Sequence, residues 1–142
     1  MTHEHKRLRR AVEKGDEWTC ATRVIMMPKD ANMYGIIFGG VVLSHIDLSA
    51  LVEARYHGLH KWVTASMEKV DFLRPIRIGD IVSFYTKTVK TGTKSVTVEV
   101  CVEVSRYDTN EIEEVTTADL TMVSVNNDGV PIPFDSPSTL NW

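Results

Sequence analysis

Gly39-Gly40-Val41-Val42-Leu43-Ser44-His45-Ile46-Asp47-Leu48-Ser49-Ala50-Leu51-Val52-Glu53-Ala54-Arg55-Tyr56-His57-Gly58 reads as one helix written between glycines. No proline or glycine occurs from Val41 to His57, and the apolar residues at 41, 42, 43, 46, 48, 50, 51, 52 and 54 cover nearly every side. That distribution predicts a helix wrapped by the rest of the protein rather than laid on its surface. Gly39-Gly40 marks the start, where the first amide N–H groups have no partner within the helix. With the helix dipole behind them, those donors suit an anion or a polarised carbonyl oxygen. His57-Gly58 marks the end, the glycine standing where a C-terminal cap is expected. Asp47 interrupts the apolar run.

Gly40 and Asp47 are seven positions apart, close to two turns, and so share a face. Their separation along the axis is roughly 10 Å. The spacing predicts a carboxylate looking into a pocket whose other wall is a set of free N–H donors. Hydrolysis of an acyl group needs such a pair, because one partner deprotonates water while the other holds the oxyanion. A structural reading stands beside it: an Asp bonded to a neighbouring hydroxyl or amide, and glycines that let the helix start pack closely on a sheet.

Around the helix the pattern is that of strands. Residues 22–27 form a first strand, stopped by Pro28 and the turn-prone Lys29-Asp30-Ala31-Asn32. Four more follow Gly58, at 62–72, 81–90, 94–106 and 112–125. In the third of these Val96, Val98, Val100, Val102 and Val104 take one face, and Ser95, Thr97, Glu99, Cys101 and Glu103 take the other. One face is therefore buried and one polar, as in an antiparallel sheet covered on a single side. Thr91-Gly92-Thr93 and Tyr107-Asp108-Thr109-Asn110 are too short to hold helical crossovers. Five antiparallel strands and one very apolar helix predict an α+β domain whose sheet curls round that helix.

The chain has 142 residues, enough for one domain with one core. Its net charge of −3 and lack of a recurring basic block do not suggest a nucleic-acid partner. Two cysteines, Cys20 and Cys101, form no framework and no CxxC pair, which fits a reducing compartment. No apolar signal core follows the charged opening residues and no run is long enough to span a membrane, so a cytoplasmic location is expected. Residues 1–18 read as a polar arm, 19–125 as the domain and 126–142 as a strap, in which Pro131 and Pro133 prevent a regular central strand.

Asn32, Gly35 and Phe38-Gly39-Gly40, followed by Asp47, resemble the hotdog-fold acyl-CoA thioesterases, in particular the bacterial short-chain acyl-CoA hydrolases. The likeness continues through Phe72-Leu73-Arg74-Pro75, Gly79-Asp80 and Gly92-Thr93-Lys94-Ser95. It implies the hotdog fold, a curved antiparallel sheet of five to six strands around a central helix, and hydrolysis of an acyl-CoA to free acid and CoA. It implies Asp47 as general base on water or as direct nucleophile through a mixed anhydride, with burial raising its pKa toward the working pH. The Gly40 N–H would hold the oxyanion, and Asn32 would orient the reacting groups across a subunit interface. Phe38, Gly39, Thr64, Ser66, Arg74, Gly92, Thr93 and Ser95 would contact the acyl group or CoA. Coenzyme A is then part of the substrate, and no separate cofactor is expected. A homodimer is the smallest assembly the resemblance implies, with relatives forming trimers of dimers.

Each contact residue has an ordinary alternative. Thr64 and Ser66 alternate on a strand and so are expected to share a face, but strand hydroxyls are common. Arg74, held before Pro75, suits a phosphate or else pairs with Asp71 or Asp80. Gly92-Thr93-Lys94-Ser95 is also what a hairpin requires. His45 is about 200° from Asp47 around the helix, and no set of spaced ligands predicts a metal. After Asp47 the chain carries Leu48-Ser49-Ala50 where many relatives have small residues, so acyl length does not carry over. Two rival functions remain: a hotdog module that binds acyl-CoA without turnover, and an enoyl-CoA hydratase or dehydratase.

Overall fold

Val96, Val98, Val100, Val102 and Val104 are each at most 1% exposed in the computed structural model, which describes residues 18–140. They lie on β4 (Ser95–Ser105), which sits between β3 (Ile81–Thr91) and β5 (Ile112–Val125). β1 (Thr19–Ile25) pairs with β3, and β2 (Lys61–Phe72) pairs with β5. All pairings are antiparallel, giving one sheet in the order β1-β3-β4-β5-β2. The period-two alternation is met by burial from Ser95 to Val100, each fully buried valine contributing about 1.5–3 kcal/mol, but beyond it Cys101, Glu103 and Ser105 on the other face are buried as well, which corrects the expected polar face there. The polar arm lies outside the described residues save for Trp18.

The helix α1 (Gly39–Arg55) crosses the concave face of this sheet. Val42, Ile46, Ser49, Ala50, Glu53 and Ala54 are its buried residues. Its other side carries Leu48, Val52 and, just beyond its end, Tyr56, which are 57%, 37% and 70% exposed. The expected wrapping on nearly every side is therefore corrected. Five strands cover one face of the helix and leave an apolar stripe on the other.

Gly58 is corrected as well. It does not adopt the left-handed cap conformation; the glycines with positive φ are Gly35, Gly79 and Gly129. Its smallness is needed because a Cβ there would stand 2.5 Å from the carbonyl oxygen of Phe134. The segment from Asn126 turns back on itself, bridges Val125 to Pro131, and lays Phe134 against Trp62 and His57. Since the obstructing atom is backbone, Gly58→Ala must push the strap away. We expect a loss of about 1–3 kcal/mol in chemical denaturation from this overpacking.

Candidate active site

The loop before α1 is braced by Asn32. Its side-chain oxygen accepts hydrogen bonds from the amides of Tyr34 (2.9 Å) and Ile36 (3.1 Å), while Gly35 takes φ +78°. The loop is tied to the sheet side by the Ile37 N–H, which donates to the Ile76 carbonyl at 2.9 Å. Asn32 thus spends its oxygen on the turn. Its amide nitrogen is uncommitted among the described residues.

At the helix start Phe38 is the N-cap and supplies no side-chain bond, and the first turn has no acidic residue. The opening amides are left for a group from elsewhere. A Cβ on Gly39 would meet the Phe72 ring at 3.3 Å, and one on Gly40 would meet the Phe38 ring at 3.0 Å. Both glycines therefore serve close packing, and the same bareness keeps the amide end of the helix approachable.

Asp47 is partly exposed, so its own sheet does not supply the burial expected for it. Thr64 on β2 donates its hydroxyl to Asp47 Oδ1, and Thr64 Oγ1 lies 3.5 Å from the Met122 sulfur. A hydroxyl on a strand thereby fixes the orientation of a carboxylate on the helix. Ser66 does not join it. A register shift falls between Thr64, opposite Met122, and Ser66, opposite Thr121, so the two hydroxyls lie on opposite faces. The expectation that Thr64 and Ser66 share a face is corrected, because a bulge adds one residue to the count of two.

A cavity of about 370 Å³ opens beside the helix start, with Gly39, Phe72, Arg74 and Thr116 in its wall. Arg74 pairs with neither expected acid: Nη1 donates to the Glu114 carbonyl at 2.7 Å. Asp80 is instead buried under Arg106, whose Nη1 reaches it at 2.8 Å and also donates to the Pro75 carbonyl at 2.7 Å. The Phe72-Leu73-Arg74-Pro75 wall is pinned from beneath by that guanidinium.

Gly92, Thr93 and Ser95 lie elsewhere. Gly92 N–H closes the β3–β4 hairpin on the Ser95 carbonyl at 2.8 Å, and the Thr93 carbonyl accepts from the Phe134 amide. Ser95 pairs with Val123, whereas the cavity residue Thr116 pairs with Val102 seven positions along β4, roughly 23 Å away. Within one chain the hairpin does not meet the helix start. It borders the row Thr64, Met122, Val96 instead.

Glu53 was not singled out from the sequence. It is buried on α1, and its two oxygens accept from the hydroxyls of Thr86 and Thr88, both at 2.9 Å, with His57 Nε2 against Thr88 at 2.8 Å. The threonines on β3 were its only signal. Cys20 is no activated nucleophile: desolvation, the largest influence on it, pushes its thiol above the ordinary value, although Arg23 opposes this.

A sequence model described as the thioesterase superfamily matches residues 34–107, just over half the chain. The chain belongs to the thioesterase superfamily. This thioesterase is 35% identical over 115 residues to the acyl-CoA thioester hydrolase YciA of Salmonella typhimurium, covering 79% of this chain and 86% of that one. It resembles the hexameric hotdog fold thioesterase of Campylobacter jejuni with a TM-score of 0.80 and 41% identity, over 84% of this chain and 92% of the other. The expected hotdog fold is the fold found. The acyl-CoA hydrolase of Staphylococcus aureus, solved with butyryl coenzyme A and coenzyme A, superposes with a TM-score of 0.72 at 31% identity, over 82% of this chain and 72% of that chain. Variants of that hydrolase replace an asparagine and, 32 positions later, a threonine by alanine; Asn32 and Thr64 of this thioesterase have the same spacing.

Proposed function

We propose that this protein hydrolyses acyl-CoA thioesters to the free acid and CoA. The observation that carries the reading is the hydrogen bond from Thr64 to Asp47, which holds a partly exposed carboxylate in one orientation beside a free sheet edge. Asp47 takes a proton from water as that water attacks the thioester carbon. The charge then gathering on the carbonyl oxygen is met by the Gly40 amide and the positive end of the helix. Collapse of the intermediate expels the CoA thiolate. CoA enters and leaves as part of the substrate.

The Gly40 amide and Asp47 of one helix are about 10 Å apart, too far to serve a single carbonyl carbon. A second copy resolves this. β2 is a sheet edge with its backbone groups unpaired on one side, and next to it lie the exposed Leu48, Val52 and Tyr56. An edge strand beside an apolar stripe invites a partner. Antiparallel pairing of two β2 strands about a two-fold axis sets the Gly39-Gly40 end of one protomer against Asp47 and Thr64 of its partner. It also brings Asn32, with its uncommitted amide, to the facing site. Burial of Asp47 then comes from the partner. A homodimer is the working unit, and the relatives' hexamers are consistent with three such pairs. Phe38 and Gly39 line the approach, while Arg74 and the Gly92, Thr93, Ser95 hairpin grip the CoA moiety. Two unbridged cysteines agree with a reducing, cytoplasmic setting.

The purified chain should release CoA from acyl-CoA esters, followed with a thiol-reactive dye. Thr64→Val should slow that release about tenfold, the worth of one charge-assisted hydrogen bond. Acyl-CoA binding without release would instead make the protein a binding module, and hydration of an enoyl-CoA would make it a hydratase.

A further inference from the structure

Along β5, Thr116, Ala118, Leu120 and Met122 take the core face, and none is more than 1% exposed. Thr116 is the polar member of that row. It is fully buried, and among the described residues its hydroxyl is the one buried side-chain polar atom with no hydrogen-bond partner. A hydroxyl so placed costs stability, and valine would fill the same space without that cost.

Thr116 belongs to the wall of the cavity at the start of α1. Thr116 stands directly across from Phe72 in the β2–β5 ladder, and the Phe72 ring lies over Gly39. One open cleft of about 370 Å³ thus runs from the amide end of the helix to Thr116, large enough for a small ligand group. Much of the rest of the wall is apolar: Ile36, Ile37, Val42, Leu73 and Ile76 contribute to it. A water molecule needs two to four polar partners, and near Thr116 such a wall offers few. An oxygen carried on a ligand needs one.

We infer that Thr116 is a specificity residue, its hydroxyl bonding to an oxygen on the acyl chain, so that short hydroxyacyl or oxoacyl thioesters are preferred to hydrocarbon ones of equal length. The inference rests on the hydrolase reading and adds the substrate class to it. The thioester carbonyl sits at the helix amides, the chain passes beneath the Phe72 ring, and its oxygen reaches β5.

The test compares kcat/KM for butyryl-CoA, 3-hydroxybutyryl-CoA and acetoacetyl-CoA in the parent protein, Thr116→Val and Thr116→Ser. In the parent at least one of the oxygenated esters should be favoured over butyryl-CoA. Thr116→Val should cut that ratio about tenfold, the effect of one hydrogen bond, while its melting temperature holds or rises. Thr116→Ser, which keeps the hydroxyl, should keep the preference. Ratios that are equal in the parent and Thr116→Val overturn the assignment, as does a lost preference in Thr116→Ser. Failure of the parent to release CoA from any of the three esters or from a wider acyl-CoA panel defeats the hydrolase reading itself, whereas release with an unaltered ratio defeats only the role of Thr116.

Discussion

Asp47→Asn is expected to fold and assemble like the parent and to release CoA about 10²–10⁴-fold more slowly, the range over which a positioned general base acts. Asparagine keeps the shape of the side chain and an oxygen that accepts the Thr64 hydroxyl, so the helix and β2 remain joined. What is lost is the capacity to take a proton from water. The fall should appear in kcat, with KM little changed, because the carboxylate acts on water rather than on the bound ester. Steady-state CoA release at saturating ester measures it, and circular dichroism checks the fold. Turnover equal to the parent's would reject Asp47 as the base. The same substitution also disables an anhydride route. Single-turnover reaction in ¹⁸O-water separates the two, since only attack by Asp47 itself leaves label in the enzyme.

Arg106→Leu should be the most destabilising single change, by about 3–5 kcal/mol. Asp80 is wholly buried and accepts from Arg106, from the Arg77 amide at 2.9 Å and from the Tyr107 amide at 3.1 Å. Arg106 in turn reaches Glu113 through Nε at 2.7 Å and caps the Pro75 carbonyl. Leucine leaves a buried carboxylate with its cation gone. For a domain of this size that corresponds to a melting temperature lower by about 10–17 °C. Combining it with Asp80→Asn should recover part of the loss, since the orphaned charge is removed too. Because Arg106 also holds the backbone of the cavity wall, KM should rise in the single variant. An unchanged melting temperature would refute the account of this ion pair.

The sheet was legible because its residues announce it. β4 alternates valine with polar residues over its whole length, and each expected strand lies within three residues of an observed one. Asp47 stood out because a carboxylate in an aliphatic helix is rare, and the helix start because two glycines precede it. What could not be read depends on partners distant in sequence. Gly58 resembles a cap, yet it is small because a carbonyl 76 positions later presses on it. The facing of Ser66 turned on a bulge that no residue in 61–66 signals. Glu53 depends on hydroxyls of β3, and Asp80 on a cation just past the end of β4. The bare side of α1 has a different cause: an apolar helix face looks the same in sequence whether its own sheet or another copy covers it.

The edge strand β2 departs from regular pairing twice, once between Thr64 and Ser66 and again between Glu68 and Asp71, where Lys69 takes φ +53° and pairs with Asp119. A strand kinked at two points makes a poor template for indefinite stacking, because flat ribbons from unrelated chains cannot follow its path. Only a copy bearing the same kinks in reverse order matches it along its length. This border of the sheet is therefore guarded against fibre growth by its own irregularity.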